Sequence, residues 1–62
     1  MLVIKGNLII STGGGRCNQP VIAYADLNDY DISNATVIEG DTYAVSIYSN
    51  ESIIVTGEVS YE

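Results

Sequence analysis

The chain has no histidine, tryptophan or phenylalanine, one cysteine (Cys17), one proline (Pro20) and only two cations, Lys5 and Arg16. Each shortage closes a route. Without histidine, neither a Ser-His-Asp nor a Cys-His catalytic set can be assembled within one chain, and the Cys/His sets that hold structural zinc are missing. A lone cysteine forms no internal disulfide. Only Arg16 stands beside Cys17 in sequence to lower its thiol pKa, so Cys17 reads as a packed free thiol, not a nucleophile. Two cations against eight carboxylates argue against nucleic acid, whose phosphates need clustered Lys and Arg. No apolar run approaches the roughly 18 residues of a membrane span. Met1 to Ile10 lacks a basic start, a long apolar stretch and a small-residue cleavage site. A soluble, unprocessed chain is expected, in a virion or a host cytoplasm.

At 62 residues the chain is expected to be one small domain, residues 1–62. A domain this short buries only about 60% of the surface its unfolded form exposes, and a core of this size rarely supplies more than a few kcal/mol, roughly 3 to 5. Disulfide and zinc being closed, the remaining support is a neighbouring protein surface, and a homo-oligomer is the expected form. The hydrophobic fraction of 47% is that of a folding chain. Charge is uneven: residues 1–16 carry +2 and residues 17–62 carry −8, from Asp26, Asp29, Asp31, Glu39, Asp41, Glu51, Glu58 and Glu62. Those carboxylates suit the solvated faces of a sheet and leave room for a basic partner.

Val, Ile, Thr and Tyr recur in short runs separated by Gly, Asn, Asp and Ser, with no apolar period of 3.6 residues. The predicted class is all-β: about six short antiparallel strands in hairpins, closed as a small barrel or a two-sheet sandwich. Val3-Ile4-Lys5-Gly6-Asn7 and Val37-Ile38-Glu39-Gly40-Asp41 share a pattern 34 positions apart. Gly followed by Asn or Asp suits a type II′ turn, so each copy predicts a tight hairpin, with Ile4 facing Ile9 in the first and Ile38 facing Tyr43 in the second. The alternation of Tyr43, Val45 and Ile47, and of Ile53, Val55 and Val59, predicts a third hairpin through Ser49–Ser52, with Tyr43, Val45, Val55 and Tyr61 on its core side. A further strand is expected over Val21 to Ala25. Gly57 marks a bulge or a close backbone approach.

Three loops invite a site. Gly13-Gly14-Gly15-Arg16 offers an anion nest but lacks the Lys-Ser/Thr ending and the helix of a phosphate loop. Asp26, Asn28, Asp29 and Asp31 offer hard oxygens to calcium, yet the EF-hand spacing fails at Tyr30, Asp31 and Val37, and Asp and Asn cap their own turns without a cation. No metal, cofactor or catalytic residue is expected. Asn34-Ala35-Thr36 and Asn50-Glu51-Ser52 match the glycosylation pattern, which matters only in a secreted eukaryotic chain. Glu39 and Asp41 as an acid/base pair would need a walled cleft, hard to form in so small a fold.

All five aromatic rings are tyrosines, the ring that tolerates one wet side and is favoured at interfaces. Tyr48 and Tyr30 are therefore the leading partner-binding candidates, joined by Ile54 on the face expected for Tyr48 and by the acidic Asp29 and Asp31. Asp31-Ile32-Ser33-Asn34-Ala35-Thr36-Val37 resembles the loop-to-strand entry of small β-sandwich modules in bacteriophage tail and baseplate proteins; Glu39-Gly40-Asp41 breaks the strand that follows earlier than in those modules. The resemblance implies a minor virion component. The expected function is a non-catalytic structural or assembly protein acting through protein contacts. The alternative is an acidic inhibitor of the phage anti-defence type, filling a basic nucleic-acid-binding groove, and a third reading is a calcium-dependent binding module.

Overall fold

A computed structural model describes residues 1–11, 20–47 and 49–62. Among these residues there are seven short strands, β1 Leu2–Lys5, β2 Leu8–Ile10, β3 Val21–Ile22, β4 Thr36–Glu39, β5 Thr42–Ala44, β6 Ile53–Val55 and β7 Val59–Tyr61, and a 3₁₀ turn at Leu27–Asp29. They form two sheets, one ordered β3-β6-β1-β4 and the other β5-β2-β7. Every pairing is parallel. The expected antiparallel hairpins are therefore absent from the described residues, and the fold class is corrected to a strand-rich stack of parallel coils, in the manner of a β-solenoid.

The first two predicted hairpins are instead corners, and the third, through Ser49–Ser52, does not form because β5 and β6 lie in different sheets. The chain runs along one strand of the first sheet, turns through two residues (three between β6 and β7) and continues along a strand of the second, so β1-β2, β4-β5 and β6-β7 are three L-shaped coils. Gly6-Asn7, Gly40-Asp41 and Gly57-Glu58 are their corners. The two similar segments do pair, but with each other: Val3 lies beside Val37, Ile4 beside Ile38 and Lys5 beside Glu39. Ile54-Val55-Thr56-Gly57-Glu58 is a third copy, with Val3 beside Ile54 and Ile4 beside Val55. Ile4 and Ile9 face different sheets, and Ile38 does not meet Tyr43 across a hairpin.

Glycine makes the corners stackable. A Cβ on Gly6 would lie 2.6 Å from the backbone carbon and oxygen of Gly40, and one on Gly57 would lie 2.7 Å from the carbonyl oxygen of Gly6 and collide with the Asn7 side chain. The close approach expected at Gly57 is thus real. Gly40, at the end of the stack, has open space around it but a φ of +102°, which disfavours any other residue.

The levels do not follow chain order. From one end of the stack they are β4-β5, β1-β2, β6-β7 and then β3 alone. β3 has no continuation in the second sheet because the chain doubles back at Tyr24, whose φ is +53°: the Tyr24 N–H donates to the Gly57 carbonyl and the next N–H, of Ala25, to the earlier carbonyl of Val55. From there the chain leads back to β4 at the far edge of the first sheet. Leu27, Tyr30 and Ile32 are half-buried in that segment, and Val3 and Ile54, which stand outside the core cluster inside the corner, are fully buried.

Inside the corner, Ile4, Leu8, Ile10, Ile53 and Val55 form a core with no exposed surface, rimmed by Leu2, Val21, Ile38, Ala44, Ile47 and Val59. Burying such a side chain contributes roughly 1.5–3 kcal/mol. All seven fully buried residues belong to β1, β2 and β6, the two middle levels. Away from that core the cover is poor: Tyr43 on the outer strand β5 and Val45 just beyond it are 75% and 64% exposed, and Tyr61, at the end of β7 in a middle level, is 62% exposed, which corrects their placement in a hairpin core.

Replacing Gly57 or Gly6 by alanine is expected to cost about 1–3 kcal/mol from overpacking, a large share of the roughly 3–9 kcal/mol available to a chain of this length. Gly40→Ala should cost less, its strain being conformational alone. Denaturant unfolding checks the order, and equal effects at all three positions would contradict corner stacking.

Candidate interaction surfaces

The corner ladder is the most ordered polar feature. The Asn7 backbone N–H donates to Oδ1 of Asp41 at 2.9 Å, and Oδ1 of Asn7 accepts from the Glu58 backbone N–H at 2.8 Å. Asp41 and Asn7 thus each satisfy an amide of the next level. Asn7 also sets a neutral amide between two acidic levels; like charges on adjacent levels, about 5 Å apart, would repel by about 1 kcal/mol even in bulk water. One position earlier, Lys5 Nζ lies 3.3 Å from Glu39 Oε1. That pair is exposed and worth about 0–1 kcal/mol. The N-terminal ammonium pairs with Glu51.

Asp26 and Asp31 serve their own turns. Oδ1 of Asp26 accepts from the Asn28 N–H at 2.9 Å and caps the 3₁₀ turn; Oδ1 of Asp31 accepts from the Ser33 N–H at 3.1 Å and from its hydroxyl at 2.8 Å. These bonds, the hydroxyl first, hold the Asp31 carboxyl below its ordinary value of 3.8. Among the described residues no three carboxylates or thiols are grouped to hold a metal ion.

Of the expected partner-binding residues, Asp29 and Asp31 are exposed and flank the half-buried Tyr30 on one segment. Ile54 is not with them: it is fully buried between β1 and β3 and offers no docking surface. It stands outside the core cluster inside the corner and yet has no exposed surface. Tyr48, the anion-nest residues Gly13–Arg16 and Cys17 lie outside the described residues.

The exposed apolar residues are others. Tyr43 and Val45, with Ile9, Ser11, Ala44 and Glu62, line a shallow depression of about 250 Å³ on the second sheet. Val37, 38% exposed, and Ile22, 41% exposed, sit on the two edge strands of the first sheet. The signal for Val37 and Tyr43 was present in the repeat: a motif that pairs with its own copies leaves the last copy unpaired. No family model, characterised protein or solved structure matches this chain.

An Asp31 pKa held down by Ser33 makes a contribution to stability that is present above the ordinary carboxylate pKa and lost as pH falls through the lowered one. Ser33→Ala should raise the Asp31 pKa toward its ordinary value. A carboxyl-carbon NMR titration reads this directly, and an unchanged titration would remove the hydroxyl's part in holding the carboxylate.

Proposed function

We propose that this chain is a non-catalytic structural or assembly protein that acts by pairing its open strand edges with other protein chains, copies of itself included. The observation that carries the reading is level β4-β5, uncovered among the described residues: both its strands are sheet edges, its interior residues Ile38 and Ala44 are only half-buried, and Val37 and Tyr43 stand exposed beside them. Long unpaired edges with apolar side chains are sites of chain association unless protected. Lack of histidine supports a role without general-base chemistry. Among assemblies, the resemblance of Asp31–Val37 to phage tail modules favours a minor virion component, and Thr36 and Val37 of that segment belong to edge strand β4.

The exposed Asp26, Asp29 and Asp31 around Tyr30 favour a second reading, an acidic inhibitor seated in a basic groove. Ionic strength separates the two. Sedimentation of the purified chain across concentration should show reversible self-association that high salt leaves intact, because edge pairing and apolar burial are little screened. A chain that stays monomeric, and binds a basic protein only at low salt, would overturn the assembly reading in favour of the inhibitor.

A further inference from the structure

We propose that the edge formed by β4, the Gly40-Asp41 corner and β5 pairs with the same edge of a second copy about a two-fold axis at Gly40, giving a closed dimer. This rests on the self-association reading above and specifies its surface, partner and symmetry.

The main chain at this edge is already poised for it. The N–H groups of Thr36, Gly40 and Thr42 donate inward along the stack, to the carbonyls of Met1, Lys5 and Asn7. In a strand the main-chain groups alternate sides, so those of Val37, Glu39, Asp41 and Tyr43 point off the open end. Antiparallel pairing of the arms, β4 of one copy on β5 of the other, sets Val37 opposite Tyr43 and Glu39 opposite Asp41. These are the residues with groups to exchange, and each pair forms both N–H···O bonds. The side chains agree with this register. Opposed residues share a face: outward Val37 meets outward Tyr43, inward Ile38 meets inward Thr42, and Thr36 meets Ala44. A slip of one residue would set inward side chains against outward ones. Centring on Gly40 uses the full span Thr36 to Ala44, from the start of β4 to the end of β5, and leaves no side chain on the axis.

The interior also continues out of this end. Ile38 and Ala44 are core residues covered on one side only, and Thr42 Oγ1 is buried with no hydrogen-bond partner. A second β4-β5 level laid against them extends the core by the kind of coil-on-coil contact that joins β1-β2 to β4-β5. The opposite end of the stack cannot receive this edge. There β3 overlies β6 while nothing among the described residues overlies β7, so the two sheets end one strand apart, a step of about 4.8 Å. A flat L-shaped edge does not seat on a step, and the association closes as a dimer instead of growing head to tail.

Charge opposes the contact. Glu39 faces Asp41 of the other copy on both sides of the axis, so the dimer should tighten as salt rises and tighten again in Glu39→Gln.

Sedimentation velocity of the full chain tests the assignment. Wild type should pass from monomer to dimer with no larger species. Val37→Pro, which removes an N–H pointing off the edge and no bond within the chain, should weaken dimerisation by about tenfold or more, a change of about 1.4 kcal/mol, while circular dichroism reports the fold. Tyr43→Lys, at an outward position, should do the same and decides the matter if the proline variant does not fold. Ile22→Lys, on the other edge of the first sheet, should leave the dimer intact. Species that lengthen with concentration, or a dimer that resists both edge variants, would overturn this interface while self-association stands. A wild-type chain monomeric at every concentration would overturn both.

Discussion

Three backbone corners lie on top of one another closely enough that no side chain fits between them, and the rest of the structure depends on that approach. Gly6 sits between Gly40 and Gly57, with a would-be Cβ 2.6 Å from the Gly40 backbone. Only because these positions are glycine can β1, β4 and β6 keep strand spacing through the turn and continue as β2, β5 and β7 in register on the second sheet. The side chains that follow Gly40 and Gly6 then find an amide of the next level within reach, Asp41 that of Asn7 and Asn7 that of Glu58. Aliphatic rows fall into line inside the corner as a consequence: Ile38, Ile4 and Val55 on one sheet, Thr42, Leu8 and Val59 on the other.

Much of this was written in the sequence, though not in the form that alternation suggests. Period-two patterning identifies strands without their direction, and Gly-Asn between two apolar runs is equally the mark of a tight hairpin. What separates the readings is recurrence. Gly6, Gly40 and Gly57 stand 34 and 17 positions apart, a spacing that means stacked coils when it is found three times; with only the first two copies in view, a local turn is the simpler inference. The order of the levels was not legible at all. Paired strands lie 34 or 51 positions apart at β1 and β2, so strands next in sequence do not pair, and nothing local specifies which copy lies on which. The burial of Ile54 was not legible either, since alternation marks which side chains share a face and not whether that face is covered.

The shortage of covering chain is met only in part. The middle levels bury seven aliphatic side chains completely, without disulfide or zinc, so one copy already encloses a core. Its end levels do not share that protection: Val37, Tyr43 and Val45 stay exposed around β4-β5 and Ile22 and Tyr24 around β3. Acidic residues surround these openings, and a net charge of −6 sets copies against one another at long range. Apolar edges that attract at contact, together with a like-charged surface that repels at distance, would make the proposed association selective and responsive to salt.

The parallel stack itself is tested most directly by NMR of the backbone and methyl protons around Ile4. Parallel in-register coils place Ile4 beside both Ile38 and Val55, and cross-peaks to those two residues, with none between the main chains of Ile4 and Ile9, are the expected result. Close Hα–Hα contacts between Ile4 and Ile9, the signature of an antiparallel hairpin around Gly6-Asn7, would contradict the stack and everything built on it.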